Sequence, residues 1–189
     1  MKKGLLIGFG ALAALVVLIG ISTVGLRNKL VVADENVKTA WSQVENVLQR
    51  RADLIPNLVA TVKGYAKQEK EIFVQIAEAR SRLAGAKTVP EKISANQGID
   101  SALARLLIVV ERYPDLKSNQ NFMALQDELS GTENRIAVER MRYNDTLRAY
   151  NVTVRRFPGN IVAGLFGFTV KDAYFEAAPD AKAVPQVAF

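Results

Sequence analysis

"TENRIAVERMRYNDTLRAYNVTVRRFP" occupies residues 132–158, and its reading decides the fold. Ile136, Tyr143, Tyr150 and Phe157 recur every seven residues, continuing a row begun by Phe122 and Leu129. That period marks one face of an α-helix and predicts a helix from about Asn119 to Phe157. A companion row, Gln126, Glu133, Arg140, Leu147 and Val154, is interrupted by charge. Two Tyr-Asn pairs, Tyr143-Asn144 and Tyr150-Asn151, set one residue in the seam and its neighbour at the edge. Such a helix is a bundle seam with polar pegs, an active-site wall or a recognition surface.

The same spacing continues upstream. Leu30, Val37, Trp41, Val44 and Leu48 form a stripe in which Asp34 takes one slot. A helix on that stripe is expected to end near Asp53, an N-cap residue that places Pro56 in the first turn of the next helix. One long helix kinked at Pro56 is the alternative. The second helix is expected from Leu54 to Ala84, carrying Leu58, Val62, Tyr65, Ile72, Ile76, Ala79 and Leu83, with Glu69 in the same row. Gly85 suits its end, and Thr88 with Pro90 suits the start of a third helix, Glu91 to Tyr113, which Pro114 breaks. Four amphipathic helices on short loops predict an all-α chain whose soluble part is an antiparallel, up-down four-helix bundle with long helices.

Ahead of the bundle, Gly4 to Leu26 is a run of 23 residues without a charge. As a helix it spans ~34 Å, enough to cross a ~30 Å hydrocarbon core. Lys2 and Lys3 would also suit a signal peptide, but the run is long for one and Leu26-Arg27-Asn28-Lys29 resembles a stop-transfer border. A retained single-pass anchor is therefore expected. Lysines and arginines flank both ends, so charge does not orient it. The chain thus divides into an anchor (1–28), a helical bundle (29–158), an apolar Gly/Phe strap (159–177) and a tail (178–189) expected to be disordered.

Composition narrows the chemistry. The 189 residues include neither cysteine nor histidine, which removes thiolate chemistry, Ser-His and Cys-His catalysis and histidine-bearing di-metal sites. Carboxylate, lysine or tyrosine chemistry remains. The net charge is +6, but basic residues alternate with acidic ones and form no aromatic-interleaved patch, so no nucleic-acid partner is expected. No phosphate loop, nucleophile elbow or metal-ligand spacing occurs, and no cofactor is expected.

"AWSQVENVLQRRADLIPNLVATVKGYAKQEKEIF", "YPDLKSNQNFMALQDELSGTENRIAVERMRYNDTLRAYN" and "RRFPGNIVAGLFGF" resemble the LemA family of bacterial membrane proteins, over residues 27 to about 176. The resemblance implies a helix bundle behind one transmembrane helix in the bacterial cytoplasmic membrane, with a lean toward a cytoplasmic bundle. It carries over no catalytic residue.

Asp34, Glu69, Glu133, Arg140, Asn144 and Asn151 are the candidate polar seam, pegs that fix register and partner choice. A hard cation held by Glu69 and Glu133 is the competing reading. Leu165, Phe166 and Phe168 are candidate membrane or partner contacts. The expected function is a membrane-anchored scaffold or protein-interaction module without catalytic activity. Its partners are the lipid bilayer, a protein of unknown identity and a second copy of the chain. A lipid- or ligand-binding regulator using the apolar C-terminal segment is the alternative.

Overall fold

The computed structural model describes residues 2–176, with side chains from residue 6 onward; the tail expected at 178–189 lies outside them. The described residues are all-helical, in six helices: α1 (Lys2–Tyr65), α2 (Lys70–Gly85), α3 (Val89–Val110), α4 (Pro114–Lys117), α5 (Gln120–Arg155) and α6 (Gly159–Phe166). The expected four bundle helices are corrected at three places.

First, α1 is continuous through Pro56, so neither a hairpin nor a helix start lies there. A mid-helix proline costs about 3 kcal/mol through its lost hydrogen bond and its clash with the preceding turn. Here Ile55, Leu58 and Val62 flank the proline and enter one core, while Pro56 itself faces solvent. Burying three large aliphatic side chains, each about 1.5–3 kcal/mol, outweighs that cost. The chain reverses instead at residues 66–69, where Ala66 is fully buried and Glu69 N–H donates to Ala66 O. Second, Pro114 opens the one-turn helix α4 rather than a plain break. Third, the strap contains α6, and Phe157, expected in the seam, lies past the end of α5 and is 73% exposed.

The start of α3 is as its residues dictate. Thr88 Oγ1 accepts from Glu91 N–H and the Glu91 carboxylate accepts from Thr88 N–H, a capping box with Pro90 in the first turn. The backbone N–H groups of Lys87 and Thr88 hold the Glu91 carboxyl below its usual range. Asn119 starts α5 in the same manner: its Oδ1 accepts from Phe122 N–H, and its Nδ2 donates to Tyr65 Oη at the end of α1.

The chain forms two compact units. Unit 1 comprises Met1–Trp41 and Arg142–Asp172; unit 2 comprises Ser42–Met141 with the described residues from Ala173. In unit 2, one apolar core joins Ile55, Leu58 and Val62 of α1, Phe73 and Ile76 of α2, Ile99, Leu103 and Leu106 of α3, Leu116 of α4 and Phe122 of α5. In unit 1 the buried apolar side chains are Leu30, Val37 and Trp41 of α1, Tyr143, Leu147, Tyr150 and Val154 of α5, and Val162 and Ala163 of α6. Trp41 and Tyr143 meet edge to face at 5.3 Å, an arrangement worth about 0.5–1.5 kcal/mol beyond burial.

The N-terminal part of α1 differs in kind. Leu6, Phe9, Leu15, Leu18 and Ile21 are each more than half exposed, although no part of the chain is more apolar. Apolar side chains on every face of a helix call for lipid around it, and they mark the chain as membrane-associated. Val89–Val110 also has the length and hydropathy of a span, but 44% of its apolar window is buried, as befits a core helix.

Candidate functional site

Arg51 is the centre of the polar chemistry in unit 2. It occupies the inward row of α1, between Leu48 and Ile55, and its side chain is 7% exposed. Its Nη1 donates to Asp100 Oδ1 and, at 3.5 Å, to Asn96 Oδ1. Asn96 is fully buried and donates through Nδ2 to Asp100 Oδ2 at 3.2 Å. Glu133 Oε2 stands 2.9 Å from Arg51 Nη1, an ionic contact whose angles leave that oxygen without a hydrogen bond. Arg140 Nη2 lies 3.6 Å from Asp100 Oδ2, and its guanidinium stacks 5.1 Å from the Phe175 ring centroid. The Nε groups of Arg51 and Arg140 are buried without a hydrogen-bond partner. Two guanidinium groups thus face two carboxylates across α1, α3 and α5.

Arg51, Asp100 and Glu133 line a cavity of about 380 Å³ together with Leu58, Leu103, Leu107 and Leu129 and the polar Gln126 and Ser130. Leu107 is 42% exposed and the adjacent Ile108 70% exposed. A larger groove, about 820 Å³, runs between α2 and α3. Its walls are small residues such as Ala79, Ala95 and Gly98 with charges at the rim, and it reaches none of the buried arginine cluster.

Unit 1 holds a second polar arrangement, a latch on the chain beyond α6. Tyr150 Oη donates to Thr169 O at 2.8 Å. The Asn151 amide bonds Lys171 twice, Nδ2 to its carbonyl at 2.7 Å and Oδ1 from its N–H at 3.0 Å. Lys171 Nζ then reaches Asp34 at 2.5 Å and lies 5.2 Å from the Tyr150 ring centroid. Burial raises the Asp34 carboxyl, but the hydrogen bonds and charges of Lys171 and Lys38 outweigh it and hold the group below its ordinary 3.8. Burial, with the charge of Asp34, pushes the Tyr150 phenol above 10.0.

The fold therefore favours a charged Asp34 and a neutral Tyr150. The first contribution is complete above pH 3.8 and is lost as pH falls through the lower folded value. The second is complete below pH 10.0 and is lost as pH rises through the higher folded value. Exchange of the Lys171 amide, corrected for its intrinsic pH dependence, should show constant protection between roughly pH 5 and 9 and lose it on either side. Asp34→Asn should abolish the acid step; an unchanged acid step would remove Asp34 from the latch.

The candidate residues thus fall in separate places. Asp34 and Asn151 belong to the latch, and Glu133 and Arg140 to the arginine cluster. Asn144 is half-buried beside the Tyr143–Trp41 pair. Glu69 is at the N-terminus of α2, where its Oε1 accepts from Arg112 Nη2 at 2.9 Å and Tyr113 Oη at 3.4 Å. Glu69 and Glu133 each engage arginines of their own, and no group of three or more metal-ligating side chains occurs among the described residues. Leu165 is 71% exposed and Phe166 48%, while Phe168 is half-buried. Sequence reasoning missed Arg51, Asn96 and Asp100. Their signal was a polar residue inside an apolar row, Arg51 between Leu48 and Ile55 and Asn96 before Ile99 and Leu103.

Comparison with known proteins gives a consistent picture. The sequence model of the LemA family matches residues 40–189. Magnetosome protein MamQ 2 of Paramagnetospirillum magneticum is 28% identical over 189 residues, covering 84% of this chain and 68% of that protein. Magnetosome protein MamQ of Magnetospirillum gryphiswaldense is 26% identical, covering 89% of this chain and 72% of its own. Protein LemA of Metamycoplasma hominis is 28% identical over 143 residues, covering 74% of this chain and 64% of that protein.

Proposed function

Because the chain belongs to the LemA family, we propose that it is a single-pass, membrane-anchored scaffold whose helical bundle binds protein partners, a second copy of the chain among them. In this reading the segments of α1 and α5 in unit 2 form with α2 and α3 an up-down four-helix bundle at the bacterial cytoplasmic membrane, on its cytoplasmic side. The bundle recruits rather than reacts, in keeping with a chain that has no histidine and no cysteine.

The observation that carries this reading is the C-terminal turn of α3. Leu106, Leu107, Ile108, Val109 and Val110 are apolar on every face of the helix. Leu106, Val109 and Val110 fill the core, which leaves Leu107 and Ile108 outside, with Leu107 in the wall of the cavity that Arg51 also lines. A helix apolar all round needs a second partner for its outer face. Full-length chain in mild detergent should therefore self-associate with rising concentration, and Ile108→Lys should shift it to monomer without loss of helicity. A photo-crosslinking residue at Leu107 should capture a second copy in membranes. A monomer at all concentrations, with no crosslink to itself or another protein, overturns the scaffold.

A second reading, a lipid-binding regulator using the apolar C-terminal segment, is supported by the exposure of Leu165 and Phe166 on α6.

A further inference from the structure

We infer that α6, with Arg27, Lys29, Arg155 and Arg156, is a docking surface for anionic phospholipid headgroups on the membrane face where the anchor leaves the bilayer. The inference rests on the second reading above and names the lipid class.

The geometry is internal to unit 1. Arg27 ends the charge-free run of α1, and its guanidinium lies 5.3 Å from the centroid of the Phe166 ring. Wherever α1 emerges from hydrocarbon, α6 is at the same level, so the bilayer surface is the nearest apolar phase to it. The rotation of α6 is fixed by Gly159, Val162 and Ala163, all buried. With those inward, Ile161 (54% exposed) and Leu165 (71%) point out four residues apart, and Phe157 (73%) is exposed just before the helix. Such a row, with Phe166 at its edge, has the spacing of an interfacial helix face. In water it would be an apolar patch without purpose.

Charge selects the kind of surface. Residues 155–170 include Arg155 and Arg156 and no acidic residue, and residues 26–33 include Arg27 and Lys29 and no acidic residue. All four basic side chains are exposed. The nearest carboxylate on α1, Asp34, is already neutralised by Lys38 and Lys171. A collar of cations around aromatic and aliphatic side chains fits phosphate-bearing anionic headgroups, with the apolar row below them.

The chain has no cysteine, so Leu165→Cys provides a unique site for a spin label. The labelled full-length protein is reconstituted in phosphatidylcholine vesicles with and without phosphatidylglycerol. Collisions with lipid-soluble oxygen and with a water-soluble nickel chelate are then compared. The expected result is a label that oxygen reaches and nickel does not, with the lipid-exposed fraction larger when phosphatidylglycerol is present. Arg155→Gln and Arg156→Gln should each lower the ratio of inserted to lifted label roughly fivefold, the weight of one basic residue at an anionic surface. If the label is lipid-exposed equally in both vesicles and indifferent to the arginines, headgroup selection fails and membrane contact stands. A label reached by nickel in both, or shielded from both reagents, overturns the docking surface and the second reading together.

Discussion

Arg51→Ala is expected to destabilise the chain by roughly 3 kcal/mol. That is the lower end of the range for removing one partner of a buried ion pair, chosen because Asp100 is 35% and Glu133 46% exposed at the side chain. The loss has two sources. Asp100 and Glu133 are left facing each other without their common cation, and the buried Asn96 loses the donor to its Oδ1. Chemical denaturation of the full-length protein in detergent, followed by circular dichroism, measures it. The informative comparison is Arg51→Met combined with Asp100→Leu, Glu133→Met and Arg140→Met, which removes all four charges of the cluster and should recover most of the loss, since apolar replacement of a whole buried charge group is often neutral. If the native chain self-associates as proposed and the combined variant, folding as stably, no longer does so in one defined form, the cluster acts as a register peg. A loss below about 1 kcal/mol for Arg51→Ala would mean that water satisfies both carboxylates and that the cluster specifies nothing.

The part of the fold that follows local rules was legible. The Thr88 start of α3, the Asn119 start of α5 and the inward rows of α1 and α3 depend on contacts a few residues apart. What was not legible depended on tertiary packing. Pro56 reads as a boundary because its local cost is large, and only the shared burial of Ile55, Leu58 and Val62 keeps the helix through it. The true reversal, Ala66-Lys67-Gln68-Glu69, has neither glycine nor proline and consists of good helix formers, so nothing local announces it. Ending the first stripe at Asp53 also hid the site. With the helix continued, Leu48, Arg51, Ile55 and Leu58 form one row, and an arginine in such a row requires buried acceptors. Tyr143 and Tyr150 are buried, but so is Asn151, expected at the edge, and the latch it makes was not legible. An asparagine side chain that pairs with a backbone twenty residues away leaves no pattern in its own helix.

Two glycines of α6, five residues apart, should respond in opposite directions to the same change. A Cβ at Gly159 would lie 2.3 Å from the carbonyl oxygen of Thr153, a backbone atom that cannot rotate away. Gly159→Ala must therefore push α6 off the end of α5, exposing Val162 and Ala163, which are 4% and 2% exposed. Forcing one methyl into such a contact typically costs about 1–3 kcal/mol. A Cβ at Gly164 meets nothing within 4 Å. Since alanine is favoured over glycine by roughly 0.5–1 kcal/mol inside a helix, Gly164→Ala should hold α6 more firmly. Amide exchange over residues 159–167 reads both effects, faster for the first variant and slower for the second. The chain beyond α6 adds a further check. Gly167 ends the helix with φ of 77°, a left-handed turn that leads into the Thr169 and Lys171 contacts of the latch. Displacing α6 at Gly159 should thus also loosen the Lys171 amide, whereas Gly164→Ala should leave it unchanged. Equal exchange in the two variants would show that α6 is not seated by the close approach at Gly159, and the orientation of Ile161 and Leu165 would lose its structural basis.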